Sequence, residues 1–164
     1  MSNELFPALN DVEPSWADIE VSCPIYQGPL IQMTDISAIK WGRSTDLGLR
    51  RGTGGRKMAR TSGQGDCEAS WTLYQGGYIK LLRGLMSVAP TRGTQVLVGR
   101  VGFDVIIEYT PFGAVEIFRV KIKGCRITSD GSDAAEGPDA SLVEIGLNPI
   151  EVVNIIDGKE CALT

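Results

Sequence analysis

Apolar and polar positions alternate along most of this chain, with the period of two that puts successive side chains on opposite faces of a strand. Between Ser15 and Cys23, Ala17, Ile19, Val21 and Cys23 share one parity, and Trp16, Asp18, Glu20 and Ser22 share the other. That predicts a half-buried strand, ended by Pro24. Leu30 to Trp41 predicts a longer strand whose parity changes between Met33 and Ile36, as a bulge or strong twist requires. Cys67, Ala69, Trp71 and Leu73 alternate with Glu68, Ser70, Thr72 and Tyr74. Val101 to Tyr109 alternates in the same way, and Pro111-Phe112-Gly113 predicts the turn after it. From Val115 to Thr128, Phe118, Val120 and Ile122 have one parity and Cys125 and Ile127 the other, with Gly124 at the switch as a bulge would place it. Ser141 to Leu147 alternates again, Pro149 interrupts, and Val152 to Ile156 resumes before a turn at Asp157-Gly158.

One segment has the period of a helix. Tyr78, Leu81, Leu82, Leu85 and Met86 fall at i, i+3, i+4, i+7 and i+8, after Gly76-Gly77 and before Pro90. The predicted order is strand, strand, long basic loop, strand, helix, strand, strand, strand. Short turns join most neighbours, so the sheets are expected to be antiparallel. The fold class is mainly β: an antiparallel β-sandwich or partly closed barrel of about seven strands, with one short α-helix covering an open end or flank. The 164 residues fit a single domain, 1–164, with no internal repeat.

Residues 1–14 read as an irregular N-terminal arm. Residues 42–66 hold seven glycines and almost no apolar periodicity. A structureless loop of that length in a compact domain is uncommon and usually functional. A second irregular stretch, 129–139, carries the acids Asp130, Asp133, Glu136 and Asp139.

Charge sharpens the picture. Residues 40–60 hold seven basic residues (Lys40, Arg43, Arg50, Arg51, Arg56, Lys57 and Arg60) and one acid, Asp46, while the whole chain has a net charge of −4. The rest of the chain is therefore strongly acidic. A basic segment on an acidic body implies a partner for that segment, and a second copy supplies a surface of the right sign. The favoured reading is docking of this loop, through Arg43, Arg50, Arg51, Arg56, Lys57 and Arg60, onto an acidic protein surface such as the 129–139 loop or the N-terminal arm. Nucleic acid is the alternative, because Gly-spaced Arg and Lys can track phosphates, yet the loop lacks the aromatics that stack bases. An uncommitted solvated loop is the third reading.

Several chemistries drop out. The chain has no His, the commonest general base and zinc ligand. Ser and Cys nucleophiles thus lack their usual base, and Asp104 and Glu108 read as solvated strand residues, so no catalysis is expected. The run around Lys57 departs from the phosphate-loop pattern because Met58 follows the lysine. No cofactor or metal is expected. No apolar run approaches the roughly 20 residues that cross a bilayer, and no signal peptide is expected at the N-terminus. Cys23, Cys67, Cys125 and Cys161 are spaced too widely for a CxxC site. They read either as free thiols or as disulfides formed after the protein leaves a reducing cytosol. In the second case Cys161 is the expected half of an inter-subunit bridge, with Cys125 turned outward by the Gly124 bulge as another candidate. Trp71 follows the core parity, whereas Trp16 reads as an interface anchor or as packed beneath the arm.

The segment GRKMARTSGQGDCEASWTLYQGGYIKLLRGL, residues 55–85, joins a basic Gly-rich loop, a strand ending Thr72-Leu73-Tyr74 and a short amphipathic helix. It resembles the tail tube proteins of contractile-tailed bacteriophages, in which a long loop precedes such a strand and helix. SLVEIGLNPIEVVNIIDGKE, residues 141–160, is similar to their final strand. The resemblance spans about residues 30–160. It implies the phage tail-tube fold and a homo-oligomer of hexameric rings stacked into a tube inside a contractile sheath. Genome DNA would pass through the channel without tight binding. The implied partners are sheath, tape-measure, baseplate and tail-terminator proteins. The implied place is the virion tail, assembled in the host cytoplasm. The tube of a type VI secretion system or phage-derived bacteriocin is the related alternative, and a nucleic-acid-binding β-barrel module is the unrelated one.

Overall fold

A computed structural model describes residues 19–61, 65–109, 118–132, 134, 136–138 and 141–163. The N-terminal arm, Trp16, the 111–113 turn, Asp133 and Asp139 lie outside the described residues. In chain order the strands are β1 (Ile19–Pro24), β2 (Leu30–Met33), β3 (Ile36–Thr45), β4 (Gly48–Arg51), β5 (Lys57–Thr61) and β6 (Gly65–Tyr74). The helix α1 (Gln75–Met86) follows. Then come β7 (Thr91–Arg92), β8 (Gln95–Val96), β9 (Phe103–Tyr109), β10 (Phe118–Cys125), β11 (Ile127–Ser132), β12 (Leu142–Leu147), β13 (Glu151–Ile156) and β14 (Lys159–Cys161).

Two open antiparallel sheets form the sandwich. One has six strands in the order β14-β13-β10-β9-β1-β2, and the other four in the order β11-β12-β6-β3. The alternating apolar positions meet between them. Val105, Ile107, Val120 and Ile122 come from the first sheet, and Trp71, Leu73, Val143 and Ile145 from the second. The Trp71 and Phe103 rings join the layers with centroids 6.3 Å apart. Burying each such side chain stabilises the fold by about 1.5–3 kcal/mol.

The main sheets hold more strands than the seven or so expected, because three predicted interruptions are changes of sheet and because β14 lies beyond the last predicted strand. The parity switch between Met33 and Ile36 marks where the chain leaves the six-stranded sheet for the four-stranded one. Cys125 to Ile127 makes the same crossing, and Pro149 marks the return. Crossing between layers inverts which side faces the core, and periodicity registers that as a change of parity. The bulge at Gly124 is present as expected: the β9–β10 register shifts between Ile122 and Cys125, and Gly124 has φ 66°.

The helix begins at Gln75, before the first apolar residue of its stripe. Leu81 and Leu85 are fully buried, Tyr78 and Leu82 are half-buried, and Met86 is exposed. Gly77 lies inside the first turn because nothing larger fits there. A Cβ on it would meet the Asp35 carbonyl oxygen at 2.9 Å. The Tyr74 amide donates to that same oxygen at 3.0 Å, which fixes the end of β6 and the start of α1 against the β2–β3 corner.

Residues 42–66 depart from the expected structureless loop. β3 runs on through Thr45, β4 and β5 form an antiparallel hairpin, and β6 begins at Gly65. Backbone ladder bonds hold this hairpin. Periodicity missed it because β4 buries no apolar face: every β4 residue is exposed.

Candidate functional site

The hairpin carries most of the basic cluster. Its tip closes through a short 3-10 turn, Thr53–Gly55, where Gly54 and Gly55 have φ of 81° and 75°, values that favour glycine. The Gly52 amide donates to the Arg56 carbonyl at 2.9 Å across the neck of the turn. Arg50, Arg51, Arg56 and Arg60 are exposed, and none takes part in an ion pair among the described residues. Register places Arg51 opposite Lys57.

Arg43 behaves differently from these four arginines. It lies on β3, opposite Cys67 of β6, and is only partly exposed. Its Nη1 donates to the Val152 carbonyl at 3.0 Å and to the Cys161 carbonyl at 2.7 Å. Arg43 ties the edge of the four-stranded sheet to β13 and β14 within one chain.

Among the proposed acceptors, Asp130 lies exposed on β11 and takes a hydrogen bond from the Tyr78 hydroxyl. Burial first and that bond second push the Tyr78 phenol up to about 12. Glu136 is exposed. Cys125 is a correction. The bulge does not turn it outward: it is fully buried, and its Sγ approaches the Ile122 carbonyl at 3.7 Å. The extra residue in β10 re-aims the chain so that Cys125 re-enters the core. Cys161 is exposed.

A polar ladder lies on the outer face of the six-stranded sheet, where alternation places Asp104, Glu108, Arg119 and Lys121 without pairing them. Arg119 pairs with Glu108 at 3.3 Å, Lys121 with Asp104 at 3.8 Å and Lys123 with Glu160 at 2.8 Å. Asp104 also accepts from the Gly124 amide at 3.0 Å and from the Tyr26 hydroxyl, so it holds the bulge in place. The available signal was the facing parity of acids on β9 and bases on β10. Which acid met which base awaited the register.

Among the described residues the sheets end in unpaired edges. β2 and β14 bound the six-stranded sheet, and β3 and β11 bound the four-stranded one. Beside β2 runs a groove of about 590 Å³, lined by Ile19, Val21, Met33 and Ile36 among others. Among the described residues no group of three metal-ligating side chains is found, and no helix is long and apolar enough to cross a membrane.

This architecture is the fold of tail-tube proteins. A chain of the sheath–tube complex of an extracellular contractile injection system, PVC, in its extended state superposes with a TM-score of 0.66 at 15% identity, covering 95% of this chain and 99% of that one. A chain of the tube-terminating cap of the anti-feeding prophage gives 0.61 at 14% identity, covering 88% and 92%. The SPP1 tail tube gives 0.58 at 12% identity, covering 88% and 81%. Neither a protein-family profile nor a curated protein matches the sequence. At such identities the likeness is one of fold.

Proposed function

We propose that this chain is the repeating subunit of a hollow tail tube, a structural protein without catalysis. The observation that carries the reading is the shared fold over nearly the whole of both chains, at a TM-score of 0.66 with the PVC sheath–tube complex. The open edges support it. An exposed edge strand invites uncontrolled pairing unless something covers it. Joining edges around a ring covers them and leaves a channel, and a head-to-tail contact between rings extends the assembly into a filament. Six subunits per ring is the proposed number. The baseplate of the anti-feeding prophage, which contains a chain of this fold at a TM-score of 0.54, was reconstructed with six-fold symmetry.

In this reading the basic hairpin reaches an acidic surface of a neighbouring subunit or ring, through Arg50, Arg51, Arg56, Lys57 and Arg60. Sheath, terminator and baseplate proteins contact the tube, and a tape-measure protein occupies its channel. The tube belongs to a contractile bacteriophage tail, assembled in the host cytoplasm, and genome DNA passes through without tight binding. A second reading keeps the subunit and changes the cargo: the tube of an injection particle or secretion system. What supports this second reading is that chains of the PVC sheath–tube complex and of the anti-feeding prophage cap share the fold over most of their length.

Negative-stain microscopy of the purified protein, with sedimentation across a concentration series, tests the shared core of both readings. Rings and stacked tubes are expected. A protein that stays monomeric at high concentration overturns the proposal.

A further inference from the structure

Four cysteines occupy two kinds of place. Cys23 and Cys125 are fully buried in the core. Burial, and then the nearby Asp104 carboxylate, push the Cys125 thiol up to about 12, and burial pushes up the Cys23 thiol as well. Such groups hold little thiolate at neutral pH and lie away from soluble oxidants. Cys67 is half-buried and Cys161 exposed.

Arg43 relates the second pair. Cys67 stands directly opposite Arg43 in the β3–β6 register, and the Arg43 guanidinium bonds to the Cys161 carbonyl. Parity fixes their faces. Cys67 alternates in step with the buried Ala69 and Trp71, so it belongs to the inner face of the four-stranded sheet. Cys161 stands opposite Asn154, which stands opposite the buried Val120, so it belongs to the inner face of the six-stranded sheet. Its neighbour Glu160 points the other way, to Lys123 on the outer face. The two cysteines therefore occupy facing inner surfaces at one rim of the sandwich. A cavity of about 240 Å³ lies there, lined by Arg43, Cys67, Val152, Ala162 and Leu163 among others.

We propose that Cys67 and Cys161 are a redox pair that closes to an intrachain disulfide, fastening β14 to the four-stranded sheet. A disulfide needs Cα atoms within about 7 Å of one another. β14 has three residues, all exposed, and Ala162 and Leu163, which follow Cys161, line the same cavity as Cys67, so closure requires β14 to shift toward that cavity. The oxidant is a small disulfide such as oxidised glutathione. The Cys161 thiolate attacks one of its sulfurs, forming a mixed disulfide and releasing one small thiolate. The Cys67 thiolate then attacks the Cys161 sulfur and releases the second. Two protein thiols become one disulfide, the small disulfide is reduced to two thiols, and the two protons pass to the leaving thiolates. Arg43 is the positioning residue, since it holds the Cys161 main chain beside the strand that carries Cys67. The inference stands whether or not the chain builds a tube.

The test incubates the full-length protein with oxidised glutathione, unfolds it, alkylates the remaining thiols with N-ethylmaleimide and maps the peptides. The expected product is monomeric on a non-reducing gel, alkylated at Cys23 and Cys125, with a peptide linking Cys67 to Cys161. Cys161→Ser should fold as the parent does and give no cross-link. Arg43→Lys should close several-fold more slowly, and an unchanged rate overturns the role given to Arg43. Alkylation of all four thiols overturns the pair, and so does a dimer joined through Cys161 or any other intrachain pairing.

Discussion

Arg43 Nη1 lies 3.0 Å from the carbonyl oxygen of Val152, a residue 109 positions further along the chain and in the other sheet. With its second bond to Cys161, this one side chain joins the edge strand β3 to β13 and β14, the last two strands at one end of the six-stranded sheet. A planar guanidinium with several donors suits such a bridge, whereas an ammonium concentrates its charge at one point.

Removing that bridge should loosen the rim. Leaving a buried hydrogen-bonding partner unsatisfied costs about 1–3 kcal/mol, and of the two carbonyls only that of Val152 is part-buried at its bond to Arg43. Arg43→Ala is expected to lower the unfolding free energy by about 2 kcal/mol. Denaturant titration measures the loss, and faster amide exchange at Lys159 to Cys161 locates it. A variant as stable as the parent would remove the bridge from the account of the fold.

Gly77 should tolerate no side chain. A Cβ there meets both the Asp35 Cβ at 2.8 Å and the Asp35 carbonyl oxygen at 2.9 Å, and backbone has little room to yield. Gly77→Ala is expected to destabilise by about 1–3 kcal/mol, the range for overpacking. Helix propensity alone predicts the opposite sign, because Ala outranks Gly by nearly 1 kcal/mol in a helix interior. The melting temperature decides between them.

Reversing charge on the hairpin should separate folding from assembly. Arg50, Arg51 and Arg56 are exposed. The triple change to Glu is expected to leave the circular dichroism spectrum and melting temperature close to the parent's while preventing stacking on micrographs. Each exposed ion pair contributes only about 0–1 kcal/mol, so the effect arises from many copies and weakens with salt. Normal tubes from this variant would assign the hairpin another role.

Tyr78 should make stability fall in strong alkali. Its phenol ordinarily ionises at 10.0 and is pushed up to about 12, by burial and by the hydrogen bond to Asp130. The folded state thus holds the proton longer than the unfolded state. The stabilisation is fully present below pH 10.0 and is lost as pH rises through about 12. Tyr78→Phe should flatten that decline and remove a late step from the phenolate absorbance titration. A titration unchanged by the substitution contradicts the assignment.

Alternation alone gave the faces of the strands correctly. Val105, Ile107, Val120, Ile122, Val143 and Ile145 are all buried where parity places them. The helix stripe through Leu81 and Leu85 was equally legible, as was the Gly124 bulge. These are local properties, since a side chain's direction follows from the period of its own element. The hairpin within 42–66 was not legible. Its strands are held by backbone bonds that leave no hydrophobic signature, and exposed Arg, Gly and Leu read the same in a hairpin as in a loop.

The sequence by itself therefore determined the class of fold, the inward face of each core strand and the presence of a basic segment on an acidic chain. Only the tertiary structure decided which sheet each strand joins, that Arg43 is spent inside the subunit while Arg50, Arg51, Arg56 and Arg60 remain exposed, and that Cys125 turns in while Cys161 stays out. Periodicity is written into neighbouring residues. Pairing depends on partners as distant as Arg43 and Cys161, 118 positions apart, and only the packed chain brings them together.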